Sequence, residues 1–135
     1  MPPVFVDTVA WIAVANTRDR YHDRARKLMV ELRQQRAALL TTEFVLLETA
    51  NALAPVSLRG SAGTLIEGLR HQSLLKIIPA SSELFAAGWR LFLDRPDKDW
   101  SLTDCASFVI MKGESSSAAF TADKHFEQAG FAILL

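Results

Sequence analysis

Short runs of consecutive apolar residues alternate along this chain with longer segments whose apolar side chains recur every three or four positions. That alternation limits the fold more than any other feature. Val4, Phe5 and Val6 form the first run, and residues 37–41, 74–78, 118–121 and 131–135 form the others. A strand with one wet face alternates apolar and polar residues, whereas a run without alternation suits a strand covered on both faces. Parallel neighbours also need long crossovers, usually helices. The pattern predicts an α/β fold with a parallel sheet covered on both faces, and ligands in such sheets bind at the carboxyl ends of the strands.

The intervening segments supply the helices. Residues 8–16 suit a short apolar helix, and residues 20–35 an amphipathic one with Tyr21, Ala25, Leu28 and Leu32 at spacings of three and four. Thr41 or Thr42 is placed to cap a helix through Phe44 to about Leu53, stopped near Pro55. Residues 57–72 predict a helix loosened by Gly60, Gly63 and Gly68. Ser81 or Ser82 begins another that reaches about Leu93, and residues 94–99 form a polar loop. Ser101 opens a helix with Leu102, Cys105, Ala106 and Val109 on one face, and a short last helix starts near Lys124. At 135 residues, half of them hydrophobic, the chain is expected to form a single domain over 1–135.

Several function classes are disfavoured by composition. The lone cysteine, Cys105, leaves no internal disulfide and no zinc-ligand spacing, and as a core-facing residue it is expected to be an inert thiol. The start of the chain lacks the basic and apolar regions of a secretory signal, and its longest uncharged apolar stretch, residues 9–15, is far short of the ~20 residues that span a bilayer. A cytoplasmic protein without a membrane segment is expected. Fifteen basic and fifteen acidic residues cancel, so any nucleic-acid contact must be local. Arg18, Arg20, Arg24, Arg26, Lys27, Arg33 and Arg36 crowd one segment against Asp19, Asp23 and Glu31. That segment is either a solvated helix face or a face that meets phosphates or a partner.

The acidic residues carry the chemistry. Asp7 is the only charged residue between Met1 and Asn16, and Glu48 the only one between Phe44 and Val56. Both lie in segments expected to be largely buried, where an isolated carboxylate costs several kcal/mol unless it is paired, hydrogen-bonded, neutralised or bound to metal. Each candidate also has a structural alternative. Asp7 could cap the helix after it, Glu48 could meet an arginine, Asp104 follows Ser101 at capping-box spacing, and Asp123 could cap the last helix. Four acids in four segments without matching buried basic residues are explained most economically by a shared cation. Carboxylates without His or Cys suit a hard ion such as Mg2+ or Mn2+, and such ions serve phosphodiester hydrolysis.

Four segments, residues 4–8, 42–53, 101–105 and 120–126, carry these acids in an order and spacing that resemble the acidic motifs of PIN domains, and of VapC-type toxins among them. The resemblance runs along essentially the whole chain. It implies an α/β/α sandwich around a mostly parallel sheet and a Mg2+- or Mn2+-dependent endoribonuclease. By position, Asp7, Glu48, Asp104 and Asp123 would hold the metal, with Thr8 and Thr121 as supporting or phosphate-contacting hydroxyls. It further implies an RNA substrate, a homodimer and a cognate antitoxin that blocks the site. The alternative is a catalytically inactive PIN-like module that binds RNA or protein. An aspartyl-phosphate phosphatase would need a second Asp where Val9 stands, and a receiver domain an acidic pair ahead of Asp7 that is missing.

Among other polar and aromatic residues, His22, His71 and His125 are expected in surface or packing roles. Trp11, Trp89 and Trp100 suit core or dimer contacts, with base stacking as a second possibility for Trp100. Glu43 and Asp99 are placed to favour helix N-termini electrostatically.

Overall fold

The computed structural model describes residues 2–135. Along the chain it contains β1 (Val4–Val6), α1 (Thr8–Ala15), α2 (His22–Gln34), β2 (Leu39–Thr42), α3 (Glu43–Ala52), α4 (Val56–Leu69) and β3 (Leu75–Ile78). After these come α5 (Ser82–Asp94), α6 (Leu102–Gly113), β4 (Ala118–Phe120), α7 (Lys124–Gln128) and β5 (Ala132–Ile133). The five strands form one sheet in the order β3-β2-β1-β4-β5, and every pairing is parallel. The apolar runs therefore became parallel strands, as their lack of alternation predicts.

Strand order positions the site. From β1 the chain adds strands outward on one side, through β2 to β3, and then returns to the other side with β4 and β5. The order reverses between β1 and β4, which pair with Val6 opposite Phe120. At such a switch point the connections after adjacent strands diverge and leave a crevice at the carboxyl ends. Asp7 leaves β1 and Thr121 leaves β4 at that point.

Local signals explain most element ends. Thr42 Oγ1 accepts from the Val45 amide at 3.1 Å and starts α3, and Ser81 Oγ accepts from the Leu84 amide at 3.0 Å and starts α5. The glycines did not prevent α4, because packing rather than propensity sustains it: Ala62 and Leu69 are buried. The last strand is shorter than expected, two residues against the run from 131 to 135. A core of Phe5, Trp100, Phe108, Phe126 and Phe131 lies behind the site, with Phe108 edge-on to Trp100 at 5.0 Å and to Phe126 at 4.9 Å. Helix α5 packs closely on α6 at Gly88, where a Cβ would stand 3.1 Å from backbone atoms of Ala106. That close approach holds α6, and with it Asp104, in place.

Candidate active site

Asp7 sits in extended backbone between β1 and α1, and only 3% of it is exposed. Its side chain makes no capping hydrogen bond; the backbone carbonyl instead accepts from the Ala10 and Trp11 amides at 3.1 and 3.2 Å. The helix-cap alternative for this carboxylate therefore fails. Its Oδ2 accepts a 2.9 Å hydrogen bond from the Thr121 hydroxyl, across the switch point. Burial pushes the Asp7 carboxyl up to about 7 in spite of that bond, and the charges of Asp104 and Asp123 push the same way.

Thr121 is fully buried and holds two groups at once. While its hydroxyl donates to Asp7, its oxygen accepts from the Asp123 amide at 3.1 Å. Asp123 caps α7 as expected, with Oδ1 accepting from the His125 amide at 2.9 Å. Asp104 likewise fills the expected capping box, with Oδ2 accepting from the Ser101 amide at 3.2 Å and Ser101 Oγ accepting from the Asp104 amide at 3.0 Å. Burial first, and then the charge of Asp123, raises the Asp104 pKa, with a smaller upward push from Glu48.

The four acids do not share one environment. Asp7 and Asp104 are buried, Asp123 is half-buried, and Glu48 is half-buried on an α3 face where Leu47 is exposed. The expectation of burial for Glu48 is thus corrected. In a ten-residue helix at the edge of the crevice, only the Val45, Leu46 and Thr49 side turns into the core. Glu48 joins the group through its charge on Asp104. Among the described residues no lysine or arginine forms an ion pair with any of the four, which removes the arginine alternative for Glu48.

His125 is the residue that sequence reasoning missed. Its Nδ1 stands 3.3 Å from Asp104 Oδ2 and 3.3 Å from Asp123 Oδ1. The available signal was the spacing Asp-x-His at a helix start, which puts the cap carboxylate and the ring on the same turn. Nothing local indicated that α6 would bring Asp104 against both. Donor atoms of Asp104, Asp123 and His125 all lie within 4.8 Å of one another.

These residues fit a divalent cation on two grounds. Like charges converge in a largely buried crevice with no lysine or arginine paired to them and His125 as the neighbouring base, an arrangement that is costly without further positive charge. In addition Thr8, next to Asp7, is 6% exposed and its Oγ1 is buried without a hydrogen-bond partner, a cost that a bound water or ligand oxygen would remove.

Other expectations resolve as follows. Cys105 is fully buried and burial raises its thiol pKa, so it is the inert core thiol anticipated. Trp100 is 6% exposed, donates to Gln128 Oε1 at 3.1 Å and has Arg95 over its ring at 5.2 Å, so it is a core residue and base stacking is excluded. Trp11 is buried and donates to Thr41 Oγ1 at 3.3 Å. Trp89 is not a core residue: it is 44% exposed and stacks on Phe92 at 5.3 Å. His22 Nδ1 lies 2.7 Å from the Ala13 carbonyl, and His71 is exposed. Glu43 lies in the first turn of α3 and also accepts from the Ala80 amide at 2.7 Å. All seven cations of the basic segment, Arg18, Arg20, Arg24, Arg26, Lys27, Arg33 and Arg36, are exposed.

Comparison with known proteins bears on the family and the fold. The family described as PIN domain matches residues 4–132. The 23S rRNA-specific endonuclease VapC20 of Mycobacterium tuberculosis is 25% identical over 128 residues, covering 95% of each chain. The crystal structure of that VapC20, described as a sarcin-ricin loop cleaving toxin, superposes with a TM-score of 0.82 at 24% identity over 96% of both chains. The fold is also that of FitAcB from Neisseria gonorrhoeae (TM-score 0.64, 17% identity, 98% of this chain and 96% of that one). DNA-bound VapBC from Salmonella typhimurium gives 0.65 at 13% identity over 99% and 98%. Among the described residues no helix is long and apolar enough to cross a membrane.

Proposed function

The chain belongs to the PIN domain family, and from that membership we propose that it is a metal-dependent endoribonuclease, the toxin of a toxin-antitoxin pair. One observation carries the reading: Asp7, Asp104 and Asp123 come together at the topological switch point with no lysine or arginine paired to them, from segments of the chain more than a hundred residues apart at the extreme.

In this reading Asp7, Asp104 and Asp123 hold a Mg2+ or Mn2+ ion and Glu48, at the open edge of the crevice, completes the set. The ion supplies a water of lowered pKa and positive charge beside the phosphate oxygens. Thr121 fixes the Asp7 carboxylate and, through the Asp123 amide, sets the spacing between the two acids. Thr8, with its unpartnered hydroxyl, is the group available to a phosphate oxygen or an ordered water. Hydrolysis joins a water oxygen to phosphorus, breaks the bond to O3′ and leaves the proton on that oxygen, so the products carry 5′-phosphate and 3′-hydroxyl ends. The exposed arginines of residues 18–36 would meet the RNA backbone outside the crevice. A second copy would pack on the exposed Phe85, Trp89 and Phe92 of α5, and an antitoxin would close the site.

The test is cleavage of a total RNA pool and of intact ribosomes, since the substrate named for the VapC20 relative is 23S rRNA. Each is incubated with Mn2+, Mg2+ or chelator, beside Asp104→Asn, with product ends mapped. Discrete metal-dependent cuts, lost in the variant, are expected. Equal cutting by the variant or in chelator would overturn the site, and Mn2+ binding without any cleavage would indicate a non-catalytic binding module.

A further inference from the structure

We propose that His125 is itself a ligand of the ion, which makes this a mixed nitrogen and oxygen centre; the inference rests on the metal-centre reading above. His125 Nδ1 is 3.3 Å from one oxygen each of Asp104 and Asp123, and the three donor atoms lie within 4.8 Å of one another. Adjacent donors around a small octahedral ion are about 3 Å apart and opposite ones about 4 Å, given metal-ligand distances of about 2.1 Å. The observed spacings fit a single coordination sphere. The contact to Asp104 Oδ2 is within hydrogen-bond reach, but it is longer than the about 2.7–2.9 Å of a charge-assisted N–H to carboxylate bond, and here two oxygens stand equally far away.

The ring is held where an ion could use it. The His125 amide donates to Asp123 Oδ1 at 2.9 Å in the first turn of α7, and the neighbouring Phe126 is fully buried, which anchors that turn in the core. The His125 side chain is 32% exposed, so an ion reaches it from solvent without any opening of the fold. An imidazole nitrogen beside the carboxylate oxygens has a selectivity consequence. Mg2+ prefers oxygen donors, whereas transition divalents accept nitrogen readily, so the centre should favour Mn2+ over Mg2+ through this residue.

Mn2+ titrated into the purified protein, followed by electron paramagnetic resonance, tests this directly. Nitrogen modulation of the electron spin echo from bound Mn2+ is expected in the wild type and absent in His125→Asn and His125→Gln. The Mn2+ Kd should weaken about tenfold or more in both variants, while Mg2+ competition changes less than about threefold. Asn keeps an amide able to hydrogen-bond the two carboxylates, so a role limited to orienting them would leave the Mn2+ Kd of that variant unchanged, and that result would refute the inference. Mn2+ bound without nitrogen modulation, and released by Asp104→Asn, would overturn the His125 assignment and leave the carboxylate centre standing. Failure of the wild type to bind Mn2+ would overturn both.

Discussion

Replacing Asp7 by Asn should stabilise the metal-free protein at alkaline pH even as it abolishes cleavage. The Asp7 carboxyl is raised from 3.8 to about 7, chiefly by burial. In the unfolded chain this group ionises near 3.8, so between the two values the folded state binds the extra proton. Stability from the protonated form is fully present below the unfolded pKa and is lost as pH rises through about 7. A shift of roughly three units corresponds to at most about 4 kcal/mol. Asn has nearly the same shape and no charge to desolvate, and its amide oxygen can still accept from Thr121. Urea unfolding in chelator at about pH 5 and about pH 8.5 should therefore show the variant gaining on the wild type by about 2.5 kcal/mol between the two, the rest of the shift being expressed below about pH 5. The other acids titrate in both proteins and largely cancel in the difference. Mg2+ or Mn2+ should then narrow that gap, because an ion at about a hundred times its Kd adds about 2.7 kcal/mol to the protein that binds it. A difference between the two proteins that is flat with pH would refute the claim that Asp7 is held at an energetic cost for the sake of a cation.

Thr121→Val keeps the shape but removes the hydroxyl that serves Asp7 and Asp123, and should cost about 1–3 kcal/mol in urea unfolding at about pH 8 and less at about pH 4, where Asp7 is neutral and the lost bond from the Asp123 amide is the main remaining cost. Gly88→Ala forces a Cβ to 3.1 Å from the Ala106 backbone, so despite the better helix propensity it should destabilise by about 1–3 kcal/mol in thermal unfolding. Replacing Arg18, Arg24 and Arg26 by Gln should reduce the slope of RNA affinity against salt by up to about 2, roughly 0.7 for each phosphate no longer neutralised, in filter-binding assays; an unchanged slope would remove the basic segment from the RNA path.

Much of the fold was legible because its signals are local. The apolar runs marked β1 to β4 to within about two residues, and hydroxyl caps marked the starts of α3, α5 and α6. The α4 segment shows the limit of propensity: glycines that weaken a helix in isolation cost less than the burial of Ala62 and Leu69 returns. The candidate site was legible as isolated acids, but their environments were not. Glu48 stood among apolar neighbours in sequence, yet those neighbours include Leu47, which faces solvent on the finished helix. His125 offered only a spacing. Trp89 and Trp100 were alike in composition and opposite in fate, since α5 presents one outward while the loop before α6 tucks the other against Phe108.

What the sequence determined by itself is the α/β class with its parallel sheet, and the presence of isolated acids in apolar or capping positions of four separate segments. Periodicity and capping act over a few residues, so they are written in a few residues. Only the tertiary structure decided that β4 lies beside β1, that Thr121 reaches Asp7 across 114 positions, and that Asp104 and His125 meet. Strand order is set by how whole covered faces fit together, and no short stretch of chain carries that information. The same packing decides which carboxylates lose their water.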